Sequence, residues 1–239
     1  MSEKDSVFIM KEAPSINVSP PIFFFTIIVV CCLELLGGLI YRWINISPVV
    51  LTGIVRIIET IAIYSYIYHV DGHWQSIGWN NHDIISRIYN GCQWSLFFGI
   101  IVFPLFIFSE LILNIHFFQM IRMPLPESIF DQITYFIVGC IIGPFTEEIV
   151  FRGVVYGYFR KWGIFFYYPK WGIAFACCIS TIIFVILHHQ ASFVPFTQII
   201  GGILFVLSYE YTKRIVTPIT IHIIGNTMIL LLSYFPVNL

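Results

Sequence analysis

Seven runs of roughly 20 mainly apolar residues, near 21–41, 48–70, 94–114, 132–158, 171–189, 193–212 and 215–235, each match the length a helix needs to cross a bilayer. A chain built this way can bury those runs only in lipid or against one another, so the pattern predicts an all-α, polytopic transmembrane bundle of about seven helices. Composition agrees: 58% of residues are hydrophobic and 10% charged, against roughly 25% charged in a soluble domain. The connections are mostly short and no repeat interrupts them. Residues 1–20 read as a polar N-terminal tail, and 21–239 as a single membrane domain. The first apolar run is too long for a signal-peptide core and lacks a small-x-small cleavage site, so the tail is expected to stay attached.

Net charge is −1, which supplies no basic excess for a phosphate backbone, and nucleic acid is not expected as a partner. The lipid bilayer is. Cytoplasmic loops collect Lys and Arg. The N-terminal tail and the second, fourth and sixth loops hold Lys4, Lys11, Arg87, Arg160, Lys161, Lys170, Lys213 and Arg214, whereas the other side holds Arg42 and Arg122. This predicts a cytoplasmic N-terminus, and the short loops favour a bacterial inner membrane. The six cysteines, including the pairs Cys31-Cys32 and Cys177-Cys178, sit in apolar runs without a CxxC spacing and read as small packing residues.

Charges inside apolar runs carry the information, because each costs about 2.5–3.5 kcal/mol at a helix centre unless it has a partner, water or a task. The fourth run contains Gly143-Pro144-Phe145-Thr146-Glu147-Glu148-Ile149-Val150-Phe151-Arg152-Gly153. Glu148 and Arg152 stand four apart with the acid first, the favourable order for an ion pair on one face. Glu147 points about 100° away from that pair. It is presented to another helix, as a carboxylate that handles a proton would be; the alternative is one structural ion network of all three. Pro144 cannot donate to the Cys140 carbonyl, a break that neighbours or water must repair. The fifth run ends Phe184-Val185-Ile186-Leu187-His188-His189, and the seventh contains His222-Ile223-Ile224-Gly225-Asn226. A carboxylate that takes a proton from water, a histidine that holds that water, and polar donors for an oxyanion are the parts of amide hydrolysis. Glu147, His188, His222 and Asn226 supply those parts.

Elsewhere, Arg56 is expected to pair with Glu59 on its own helix or with Glu34 on the preceding one, a structural arrangement. Glu210, beside Lys213 and Arg214, reads as a solvated residue without a role. Gly37-Gly38 and Gly201-Gly202 permit close helix approach. Trp43, Trp74, Trp79, Trp162 and Trp171 read as interfacial anchors.

Three ordered motifs, Glu-Glu-x-x-x-Arg at Glu147 to Arg152, Phe-x-x-x-His at Phe184 to His188 and His-x-x-x-Asn at His222 to Asn226, resemble those of the CPBP intramembrane proteases. That family includes the type II CAAX prenyl endopeptidases and the bacteriocin-processing and abortive-infection-like proteins. The resemblance covers about residues 130–230, and Ser76-Ile77-Gly78-Trp79 is similar to a short segment ahead of the family's middle helices. It implies an endopeptidase for a peptide or membrane-protein substrate. Glu147 and His188 would activate water, and His222 and Asn226 would form the oxyanion site. Glu148, Arg152 and Phe184 would support them. No cofactor is expected. Zinc is the second choice, since Glu plus two His is a zinc ligand set, although the HExxH spacing is absent and adjacent His188 and His189 diverge on a helix. A non-catalytic immunity or scaffold protein and a proton-coupled carrier are the alternative classes. With straight helices, His222 would lie nearer the inner face and His188 nearer the outer face than Glu147, so the site can assemble only through tilts, kinks or a shorter fifth helix.

Overall fold

The computed structural model describes residues 16–113, 121–162, 169–188 and 196–235. Most of the polar tail and His189 lie outside the described residues. Seven principal helices follow in order: α1 (Pro20–Trp43), α2 (Pro48–Asp71), α3 (Ile84–Ile112), α4 (Ile129–Arg160), α5 (Pro169–His188), α6 (Phe196–Thr212) and α7 (Val216–Tyr234). Among the described residues there is no strand. Among the described residues, six of the helices are long and apolar enough to cross a membrane. The described part of α6 is 17 residues.

Local sequence explains the boundaries. Helices α1 and α2 open on Pro20 and Pro48, where a missing N–H is one the first turn leaves unpaired in any case. Gly72 closes α2 in the left-handed region, φ 73°, its N–H donating to the Tyr68 carbonyl. The apolar run near 94 understates α3 by ten residues. Its first turns are polar, but a 3₁₀ turn at Asn81–Asp83 feeds directly into Ile84, and Asp83 pairs with Arg87 one turn on at 3.1 Å. Hydropathy misses that segment; helix geometry does not.

Helix α4 is the centre of the bundle, in contact with α1, α2, α5, α6 and α7. Every residue from Ile149 through Gly157 is buried, as expected of a helix enclosed on all sides. It alternates between windings: α over Ile129–Tyr135, π over Phe136–Ile142, α over Gly143–Glu148, π over Ile149–Tyr156 and α over Gly157–Arg160. Gly143 N–H donates to the Val138 carbonyl five residues back. In that register the carbonyl Pro144 leaves without its donor is Gly139's rather than Cys140's. The Asn226 side-chain amide on α7 donates to it at 2.9 Å.

The loop before α3 is part of the packing. Ile77 is fully buried against α4, and Gly78 at φ 73° is so enclosed that a Cβ would lie 2.9 Å from the Lys213 carbonyl and 2.9 Å from the Tyr209 ring. Trp74 and Trp79 join this core, leaving Trp43, Trp162 and Trp171 as the exposed tryptophans of the five. At the same end of the bundle the basic residues of the second, fourth and sixth loops converge. Arg214 and Arg87 both donate to Asp83, while Glu210 accepts from Arg160 at 2.7 and 2.8 Å, from the Tyr156 hydroxyl at 2.6 Å and from Lys213. Glu210 is thus mostly buried and ties α6 to α4, not the solvated bystander its neighbours in sequence suggest.

Helices α3 and α7 meet at Gly91, where a Cβ would sit 2.5 Å from Thr220 Cβ and 3.0 Å from the Thr217 carbonyl. Gly91→Ala is expected to destabilise the bundle by about 1–3 kcal/mol through overpacking. Gly99→Ala, on the same helix with nothing within 4 Å, should leave stability unchanged or slightly raised. Thermal unfolding of both variants in detergent, side by side, checks this.

Candidate active site

Glu147 lies in the short α segment between the two π segments of α4. Its Oε1 is 3.4 Å from His188 Nε2 on α5, and its Oε2 is 3.8 Å from His222 Nε2 on α7. The three residues that straight helices would hold at different depths are therefore brought together. The two π segments, with more residues per turn than an α-helix, change the winding on both sides of Glu147.

Each histidine is held through its other nitrogen. His188 Nδ1 is 2.7 Å from the Phe184 carbonyl, one turn back. A carbonyl only accepts, so Nδ1 carries the hydrogen and Nε2 is the nitrogen that faces Glu147. His222 Nδ1 is 2.8 Å from Glu148 Oε1, and that oxygen also accepts from Arg152 Nη1 at 2.8 Å. The pair expected from sequence is present, and it also orients His222. Glu148 and Arg152 are fully buried, whereas the Glu147 side chain is 13% and that of His188 29% exposed, so among the described residues the cluster is most exposed at His188.

Arg152 Nε and Nη2 have no hydrogen-bond partner among the described residues. Its guanidinium is held by aromatic faces instead, 4.5 Å from the Phe184 ring centroid and 4.8 Å from that of Phe205. Phe205 also stacks on His222, with centroids 4.6 Å apart and planes at 22°. Phe184 packs edge-on to His222 at 6.0 Å and against His188 at 4.2 Å.

Behind Glu147, α2 makes a second polar contact. Thr146 Oγ1 is 2.8 Å from Thr60 Oγ1 and donates to the Arg56 carbonyl, and Arg56 lies within electrostatic reach of Glu147. Arg56 bridges Glu59 and Glu34 at 2.8 Å each, satisfying both pairings expected for it. Of the seven site residues read from sequence, Glu147, Glu148, Arg152, Phe184, His188 and His222 form one contiguous cluster. Asn226 stands one turn from His222 with one amide hydrogen committed to Gly139. Phe205 and Arg56 are the neighbours sequence reasoning missed; Phe205 sits in an apolar run with no spacing signal to set it apart. Among the described residues, no group of three or more His, Cys, Asp or Glu is arranged to hold a metal ion.

Residues 129–228 match the family described as type II CAAX prenyl endopeptidase Rce1-like. This stretch is similar to that family and contains all three motifs. The chain is 33% identical over 91 residues to the membrane-embedded CAAX protease MroQ of Staphylococcus aureus, covering 38% of this chain and 36% of that protein. It is 35% identical over 102 residues to the putative membrane peptidase YdiL of Bacillus subtilis, covering 43% of this chain and 38% of that one. The matched region thus spans little more than a third of either curated relative. No solved structure matches the chain. With its candidate spans, the chain is an integral multi-pass membrane protein whose residues 129–228 resemble the CAAX protease family.

Removing one member of a buried ion pair strands the other, at about 3–5 kcal/mol. Arg152→Met is therefore expected to reduce the folded yield sharply. Arg152→Lys, which keeps the charge but not the planar face between two rings, should fall between it and wild type. Size-exclusion yield and melting temperature in detergent report both.

Proposed function

We propose that this chain is an intramembrane endopeptidase that hydrolyses a peptide bond of a peptide or membrane-anchored protein with water activated by Glu147 and His188. The observation that carries this reading is the convergence of one carboxylate and two Nε2 atoms, with both histidines held through Nδ1. A carboxylate and two ring nitrogens facing one another are a set of groups that can hold and orient a water molecule. The names of the two bacterial relatives, a protease and a membrane peptidase, support the same class.

In the proposed reaction Glu147 takes one water proton as the water oxygen attacks the scissile carbonyl, and His188 Nε2 accepts the other hydrogen and orients the attack. The new C–O bond leaves a tetrahedral oxyanion. His222, as an imidazolium with Nδ1–H on Glu148, donates from Nε2 to that oxygen, and the second amide hydrogen of Asn226 joins it. Two cations, Arg152 and His222, then balance two carboxylates, Glu147 and Glu148. Glu147 passes its proton to the leaving nitrogen as the C–N bond breaks, which restores the starting carboxylate. The carboxyl product carries the water oxygen, and the amine carries its proton. Zinc held by Glu147 and the histidines is the second reading, favoured by the donor set alone. Bacterial relatives and the clustering of basic loops at one end support placement in a bacterial plasma membrane with a cytoplasmic N-terminus.

Glu147→Gln keeps the size of the side chain but cannot take the proton. We expect it to abolish cleavage at unchanged folded yield, read as loss of a fragment from the membrane-peptide mass spectrum of cells matched for expression. Identical profiles from both strains would shift the reading to a non-catalytic binding protein. Exhaustive chelation is expected to leave that fragment's formation unchanged, and loss that added zinc restores would establish the zinc route instead.

A further inference from the structure

We infer that Phe205 of α6, outside all three motifs, is a positioning residue that fixes the orientation of His222 and Arg152 through its ring face; this rests on the endopeptidase reading above. One buried ring touches both groups: it stacks on His222 at 4.6 Å and lies 4.8 Å from the Arg152 guanidinium. The single hydrogen bond from His222 Nδ1 to Glu148 leaves the imidazole a swing about that contact, and a near-parallel ring at 22° removes it. Nε2 is thereby kept aimed at Glu147. An aromatic face attracts cations, so the same ring holds the Arg152 guanidinium where it can serve Glu148.

The rest of α6 is built to hold that ring in place. The two adjacent glycines have different tasks. Gly202 lets α6 close onto α5, where a Cβ would meet Thr181 Cγ2 at 2.7 Å. Gly201 instead clears room for Phe205 itself, since a Cβ there would lie 3.3 Å from the ring's Cζ. At the far end of the helix, Glu210 bonds to Arg160 and Tyr156 of α4, so the helix carrying Phe205 is tied to the helix carrying Glu147.

The test uses the full chain in lipid nanodiscs with three changes: Phe205→Leu, pentafluorophenylalanine at position 205, and Glu147→Gln. Pentafluorophenylalanine keeps the shape of the ring but reverses its quadrupole, so packing survives while the attraction for cations does not. The first readout is the His222 Nδ1 proton in ¹⁵N-histidine NMR, identified by its loss in His222→Gln. The second is the rate of formation of the Glu147-dependent fragment. We expect both position-205 variants to fold, to broaden or move the His222 signal, and to slow the fragment roughly tenfold to hundredfold, the order of loss a small misplacement of a catalytic group produces. A wild-type signal and rate with Phe205→Leu would overturn the inference. So would wild-type behaviour of the pentafluoro variant beside a defective Phe205→Leu, which would reduce Phe205 to packing. If Glu147→Gln still yields every fragment, the endopeptidase reading fails, and the His222 signal alone decides whether Phe205 positions the ring.

Discussion

One oxygen of Glu148 accepts from both Arg152 and His222, and the centre of the bundle depends on that shared contact. An isolated carboxylate is among the costliest groups to place in a lipid-embedded core, and an isolated guanidinium is little better. Each is tolerable only because of the other. Arg152 completes its surroundings with the faces of Phe184 and Phe205, and the Glu148 oxygen that pairs with it also accepts from His222 of α7. The ion pair thereby becomes a junction between α4 and α7, lined by aromatic rings from α5 and α6. Four helices have their relative rotations fixed by one buried carboxylate and what gathers round it.

Glu147 is available because Glu148 is committed. The two are adjacent, so on a helix they diverge, and the more buried one takes the structural partners. The winding of α4 sets where the other goes. A continuous α-helix through Pro144 would leave the Cys140 carbonyl without its donor; the π turn moves that defect to Gly139, within reach of Asn226. The repair comes from the helix that also carries His222, so a local defect in one span doubles as an attachment point for another. π turns recur at functional sites for this kind of reason, since they displace a side chain without breaking the helix.

Much of this was legible in the sequence, and the failures have physical causes. Helix number followed from the bilayer ruler, and the Glu148–Arg152 and Arg56–Glu59 pairs followed from spacing, because both depend on properties local to one helix. What crosses between helices was not legible. Hydropathy located the apolar part of α3 but missed its polar first turns, where Asp83 pairs with Arg87 one turn on. Glu210 looked solvated from its neighbours in sequence, yet its strongest partners, Arg160 and Tyr156, are about 50 residues away in the chain. Gly201-Gly202 read as one close-approach feature, whereas only contacts separate a glycine that admits α5 from one that makes room for a ring on its own helix. Phe205 resembled any other aromatic in an apolar run, and its significance appears only when its two neighbours are seen together.

The two histidines differ in what holds each Nδ1. The backbone carbonyl of Phe184, one turn back on α5, holds that of His188, so this ring is set by its own helix. Glu148 of α4 holds that of His222, so this ring is set by a neighbouring helix and by the ion pair already there. Both Nε2 atoms are thereby turned toward Glu147, at 3.4 and 3.8 Å. The direction of the α5 ring is local to one helix, whereas that of the α7 ring depends on the Glu148–Arg152 contact, so the buried junction that fixes the helices also fixes one side of the cluster around Glu147.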